Sequence, residues 1–234
     1  MDTIEAIILG IVQGLTEFLP VSSSGHLQIA KALMGVEIEQ NLLFDVTLHA
    51  ATVLSTIVVL WSEVARLLRG LFSRRFNEEQ AYVLKLLLSM IPIGIVGFTL
   101  KDRLDALLES PAILLVVGCM LLVTAALLAF AYYAKPRQKA QLSYRDAFLI
   151  GVAQAVAALP GLSRSGSTIA TGLLLGNRKQ TVAQFSFLMV LAPILGETFL
   201  ELMKGNLGAQ AIGSAPLAAG FVAAFVVGCL ACKF

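Results

Sequence analysis

Charge is scarce in this chain. Of 234 residues only 14% are Asp, Glu, Lys or Arg, and 17 basic against 15 acidic side chains leave a net charge of +2. That balance excludes nucleic acid as a partner recognised through a basic footprint. Cysteine is also scarce. Cys119, Cys229 and Cys232 are an odd number, set in apolar stretches at no metal-ligand spacing, which excludes a disulfide framework and a cysteine metal centre and predicts small buried hydrophobes. The start of a cleavable signal peptide is missing too. Asp2 and Glu5 stand where its positive region belongs, so targeting is expected to rest on the mature helices.

What the chain has instead is hydrophobic length. At 58% hydrophobic residues it carries more apolar surface than one soluble core hides, which predicts an all-α polytopic membrane protein. Apolar runs over about 44–64, 81–100, 111–133, 181–203 and 211–232 give five full spans, since about 20 residues at ~1.5 Å each cross a ~30 Å hydrocarbon core. Two further stretches, about 4–34 and 147–176, are apolar but interrupted by polar, helix-breaking turns. Each is expected to be a re-entrant pair of short helices broken at Pro20 or Pro160. Gly10-x-x-x-Gly14 and Gly172-x-x-x-Gly176 offer small faces for close helix packing.

The two interruptions read as one motif written twice. Gly10, Gln13, Ser24-Gly25 and Gly35 recur 141 residues later as Gly151, Gln154, Ser165-Gly166 and Gly176. Basic residues cluster in 65–80, in 134–146 and at Arg178-Lys179, whereas 35–43 has acids only and 101–110 is mixed; the positive-inside rule puts the first three in the cytoplasm. Three spans then separate the hairpins, which must enter from opposite faces. The expectation is an inverted-topology repeat inside one integral-membrane domain over 1–234, repeat 1 at about 1–133 and repeat 2 at about 145–234, the second one helix short.

Polar, irregular backbone at membrane depth is tolerated only where protein buries it or where it lines a water-filled cavity, and ionisable residues placed there are site candidates. The first hairpin offers Gln13, Glu17, Ser22, Ser23, Ser24 and His26; the second offers Ser163, Arg164, Ser165, Ser167 and Thr168. Hydroxyls, an imidazole, a carboxylate and a guanidinium converging at helix N-termini suit a phosphate ester or anhydride, because Arg presents a planar fork to phosphate and first-turn N–H groups favour anions. Ser23 and His26, three apart, are spaced for the imidazole to serve the hydroxyl as base or acid. Alternatively Glu17 and an imidazole position a metal or an attacking water. Against these stand plainer accounts: Ser-rich turns satisfy loose backbone groups, and Glu17 neutralises Arg164. Asp45 and His49, at i and i+4, are expected to be a helix-surface pair, with a role at the mouth of the pocket as the alternative. Lys85 is expected to snorkel to the cytoplasmic interface and Glu201, near Lys204, to the outer one.

The strings EFLPVSSSGH, with Gln13 upstream, and PGLSRSGST resemble the two signature motifs of the bacterial undecaprenyl-diphosphate phosphatase family, known also for bacitracin resistance. The resemblance runs over essentially the whole chain and implies hydrolysis of undecaprenyl diphosphate to undecaprenyl phosphate, for reuse as the lipid carrier of cell-wall synthesis. It implies roles for Glu17 as the acidic residue and the metal ligand, Ser23 as nucleophile, His26 as acid/base and Arg164 as phosphate ligand. Gln13, Ser22, Ser24, Ser163, Ser165 and Thr168 would contact substrate. It further implies a divalent cation, Mg²⁺ or Ca²⁺, in a site open to the periplasmic face of the inner membrane. A homodimer is an open expectation. The family often has an acid where Gln13 stands, which leaves the carboxylate role to Glu17 alone, and its chains continue through one more helix. The competing class is a polyprenyl-phosphate transporter or flippase, also built on inverted repeats with broken helices.

Overall fold

A computed structural model describes residues 1–36, 42–108, 110–133, 139–196 and 213–233. Every element named among them is an α-helix: α1 (Thr3–Phe18), α2 (Ser23–Met34), α3 (Leu42–Val59), α4 (Trp61–Leu71), α5 (Glu78–Thr99), α6 (Lys101–Leu108), α7 (Ile113–Tyr133), α8 (Tyr144–Val156), α9 (Arg164–Leu174), α10 (Lys179–Met189) and α11 (Ser214–Ala231). Three of them, α5, α7 and α11, are long and apolar enough to cross a membrane, and a fourth span is available if α3 and α4 are taken together. This is a multi-pass membrane protein. Leu115, Leu122, Phe98 and Phe130 on α5 and α7 are exposed, as residues facing lipid are.

Two expected spans are interrupted where hydropathy alone predicts a straight helix. The run at 44–64 does not stay straight: α3 stops at Val59 and the chain bends by 79° into α4. The cause is in α4 itself, whose Glu63, Arg66 and Arg69 cannot follow α3 into an apolar layer. Arg66 instead pairs with Glu63 at 2.8 Å and Glu79 at 3.0 Å, and these carboxylates hold its guanidinium pKa above the ordinary value. The run at 181–203 breaks at Val190 before resuming over 191–196, because Pro193 has no N–H for the carbonyl four residues back. Its remainder, with Glu197, Glu201 and Lys204, lies outside the described residues. The loop expected at 101–110 is helical as α6. Cys119 is exposed, and Cys229 and Cys232 are half-buried, so none is the core hydrophobe expected.

The two broken stretches are built alike. Capping boxes at Asp2 and Ser143 open α1 and α8; Ser22 and Ser163 cap α2 and α9, each hydroxyl accepting the N–H of a glycine three residues on; Gly35 and Gly176 follow the second helices in the left-handed conformation. All of these landmarks are 141 residues apart. Leu19 is extended, as a residue before proline must be, which ends α1.

Small residues then set the packing. A Cβ on Gly10 would sit 2.4 Å from the Gly220 carbonyl on α11, and one on the equivalent Gly151 would sit 2.3 Å from the Ser89 carbonyl on α5. Gly14 likewise abuts α11. The second expected pair divides its labour: Gly172 packs against Val182, but Gly176, with φ 89°, is a helix terminator and not a packing face. The main apolar core gathers Ala6, Leu9, Leu27, Phe44, Leu48 and Ala224 from α1, α2, α3 and α11.

Candidate active site

The turns of the two hairpins meet tip to tip. A Cβ on Gly25 would come within 3.2 Å of the Gly161 Cα, and one on Gly166 within 3.0 Å of the Pro20 carbonyl, so each turn needs the other's missing side chain. Gly161 has φ 88°, a left-handed conformation in which glycine is unstrained, and it rests on Val117 of α7. The same helix pins the second turn through Thr124, whose Oγ1 accepts the Ser163 N–H at 3.0 Å. Among the described residues Ser22 is the non-glycine residue with positive φ, at 72°, a strained geometry that presents Ser23 as the first residue of α2.

This apposition brings Glu17 and Arg164 together across 147 residues of chain. Arg164 donates through Nη2 to Glu17 Oε1, forming an ion pair in which the carboxylate side chain is 8% exposed and the guanidinium 29%. The other carboxylate oxygen, Oε2, accepts the Ser23 hydroxyl at 2.7 Å and the Gln13 amide at 3.0 Å. Glu17 is therefore the hub of the site. Above it opens a cavity of about 300 Å³ lined by Glu17, Ser22, Ser23, Ser24, Ser163, Arg164 and Ser165 among others. Both α2 and α9 begin there, so their unpaired first-turn N–H groups and positive dipole ends favour an anion in the same space.

The structure thus gathers most of the residues singled out by the motifs, with four departures, the first being Gln13, which is fully buried on Glu17 and not a lining group of the cavity. Ser23 does not pair with His26: its hydroxyl is on Glu17, while His26 Nδ1 lies 2.8 Å from the Ser22 carbonyl and the ring is not among the cavity's lining groups. Three residues along a helix place side chains about 100° × 3 apart, which lets them share a face, yet here Glu17 is nearer to the hydroxyl. Thr168 faces away, its hydroxyl bonded to the Arg164 carbonyl at 2.9 Å and to Ser186 at 2.6 Å, where it braces α9 against α10. Asp45 and His49 are not a surface pair. Asp45 binds Lys31, a fully buried side chain on α2, through both carboxylate oxygens at 2.7 Å, and His49 lines the cavity. Gln154, the counterpart of Gln13, lines it as well.

Motif spacing alone gave no warning of Lys31. A lone lysine in a helix of modest polarity fourteen residues before an aspartate has no fixed geometry until α2 and α3 pack. The repeat had marked Gln154, but only as a landmark.

A protein-only metal site is not assembled here. Among the described residues no three His, Cys, Asp or Glu side chains cluster, and both oxygens of Glu17 are engaged by Arg164, Ser23 and Gln13. As arranged, these residues do not fit a resident divalent cation.

Residues 6–234 match the family of bacitracin resistance protein BacA. The chain belongs to that family. Among curated relatives, an undecaprenyl-diphosphatase of Parabacteroides distasonis is 62% identical across all of this chain and 88% of its own. One of Bacteroides fragilis is 61% identical with the same coverage, and one of the more distant Methanosphaera stadtmanae is 35% identical, again across all of this chain and 88% of its own.

Proposed function

We propose that the protein hydrolyses undecaprenyl diphosphate to undecaprenyl phosphate and inorganic phosphate, returning the carrier lipid to cell-wall synthesis and so conferring bacitracin resistance. The observation that carries this reading is the Glu17–Arg164 pair with the Ser23 hydroxyl on the same carboxylate, set at two helix N-termini in one cavity. Names carried by relatives at 62% and 61% identity support the substrate.

In this reading the Ser23 oxygen attacks the terminal phosphorus and Glu17 takes its proton, as its 2.7 Å bond prepares it to do. The anhydride bond breaks, and its electron pair leaves with undecaprenyl phosphate. Water then attacks the phosphoserine, and a proton passes through Glu17 back to the Ser23 oxygen, releasing phosphate. Arg164 turns its fork from Glu17 to the phosphoryl oxygens, and the first-turn N–H groups of α2 and α9 hold the charge that develops. His26 braces the strained turn that presents Ser23. No step above runs through a magnesium or calcium ion.

The same reading takes the hairpins as re-entrant halves of an inverted repeat in one membrane domain, with the cavity open to the outer face of the inner membrane. The landmarks repeated at a 141-residue offset support it. Every residue invoked comes from one chain, so a homodimer is no part of the mechanism.

The test is phosphate release from a C55 polyprenyl diphosphate by purified protein, with and without a chelator, alongside the same protein in vesicles. Release with turnover supports the hydrolase. Lipid crossing the vesicle without phosphate release would instead make it a transporter.

A further inference from the structure

Hydrolysing a diphosphate requires the enzyme to hold two phosphates, and the groups assigned so far serve one. The terminal phosphoryl group has Ser23, Arg164 and the helix N-termini. Among the other side chains that line the cavity without a role in the mechanism are His49 on α3 and Gln154 on α8.

The His49 ring is anchored at one nitrogen and lines the cavity. Its Nδ1 lies 2.8 Å from the Asp45 carbonyl, which can only accept, so Nδ1 carries a hydrogen. The Asp45 carboxylate is occupied by Lys31 at 2.7 Å on both oxygens and offers the imidazole no second partner. That leaves Nε2 for whatever enters, and toward an anionic headgroup it donates as the imidazolium, in which both ring nitrogens carry hydrogen. Gln154 is 2% exposed, and neither its amide nitrogen nor its amide oxygen has a partner among the described residues. A buried amide left unpaired costs ~1–3 kcal/mol, and a ligand that accepts its N–H bonds removes that cost. Its counterpart Gln13 shows the contrast, donating to Glu17 at 3.0 Å. Where the repeat gives the first half a carboxylate at position 17, the second half has Ala158, so the Gln154 amide has no internal acceptor in the equivalent place.

We propose that His49 and Gln154 together bind the inner, lipid-linked phosphate of the diphosphate headgroup, and so make the enzyme prefer diphosphates to monophosphates. This rests on the hydrolase reading above. The inner phosphate is the leaving group, and donors on it hold the charge it gains as the anhydride bond breaks.

The experiment measures phosphate release from a polyprenyl diphosphate and from the corresponding monophosphate, and inhibition by inorganic pyrophosphate against orthophosphate, for wild type, Gln154→Leu, His49→Leu and His49→Gln. Wild type should favour diphosphate in both readouts. Each Leu variant should lose on the order of tenfold or more of that preference, the range expected for one hydrogen bond to a charged group, while His49→Gln, which keeps a donor, should retain most of it. Equal losses on both substrates, or an unchanged pyrophosphate preference, would overturn the subsite. If wild type released no phosphate from either lipid, the hydrolase reading itself would fall, a distinct result. Should a Leu variant fail to fold, His49→Gln combined with Gln154→Asn, which shortens the second donor, still reads the preference, and an unchanged value there also rejects the proposal.

Discussion

At the scale of single residues, Arg164 and Ser22 show how a site is held by geometry as much as by charge. Arg164 meets a carboxylate now and a phosphoryl group in turnover, and in both it offers a flat fork of donors that a lysine ammonium lacks. Arg164→Lys is therefore expected to lose nearly as much turnover as Arg164→Ala. About 3 kcal/mol of lost transition-state stabilisation corresponds to roughly a hundredfold fall in kcat. A lysine variant with near-normal kcat would reduce Arg164 to a general electrostatic role. Ser22 carries two opposed terms: φ 72° is unfavourable for any residue with a Cβ, and its hydroxyl caps α2 by accepting the Gly25 N–H at 3.2 Å. Ser22→Gly relieves the first and gives up only a few tenths of a kcal/mol of the second, whereas Ser22→Ala keeps the strain and loses ~1 kcal/mol of cap. Thermal unfolding in detergent should rank wild type and Ser22→Gly together, with Ser22→Ala below both.

Among the elements, the broken helices are placed by where they approach their neighbours without side chains between. Gly10→Ala and Gly151→Ala each push a methyl into a backbone carbonyl, at 2.4 and 2.3 Å, which cannot move as a side chain can. Each should lower stability by about 1–3 kcal/mol. Gly94→Ala is the control: nothing lies within 4 Å of its Cβ in α5, and it should be neutral or stabilising by ~0.5–1 kcal/mol. Equal effects at all three positions would show that close packing at Gly10 and Gly151 is not what sets them. This is also the scale at which sequence reading was mixed. Hairpin turns were legible because Pro, Gly and Ser fix backbone locally, and α5, α7 and α11 were legible because composition alone sets a span. The bend after Val59 was not, since hydropathy is an average and the decision between a straight helix and a turn rests on how Arg66, paired with Glu63 on α4, finds Glu79 on α5. The motif residues were found, but not all their contacts. Spacing put His26 beside Ser23, and only the folded first turn showed that Glu17 takes that hydroxyl, while His49, from a third helix, reaches the cavity.

At the scale of the whole molecule, the proposed inverted repeat assembles one site from two halves that enter the membrane from opposite faces. Single cysteines placed at Arg74 and at Ser110, in a background where Cys119, Cys229 and Cys232 are replaced, should react from opposite sides, Arg74 from within and Ser110 from outside. Labelling of both from one side would end the inverted arrangement while leaving the local geometry of the cavity intact. The most direct test of the central claim is chemical. Rapid quenching of the enzyme with undecaprenyl diphosphate labelled in its terminal phosphate should find the label first on Ser23 and then in inorganic phosphate, and Ser23→Ala should bind the lipid yet release none. Wild-type turnover by Ser23→Ala would contradict the covalent route at the Glu17–Ser23–Arg164 centre.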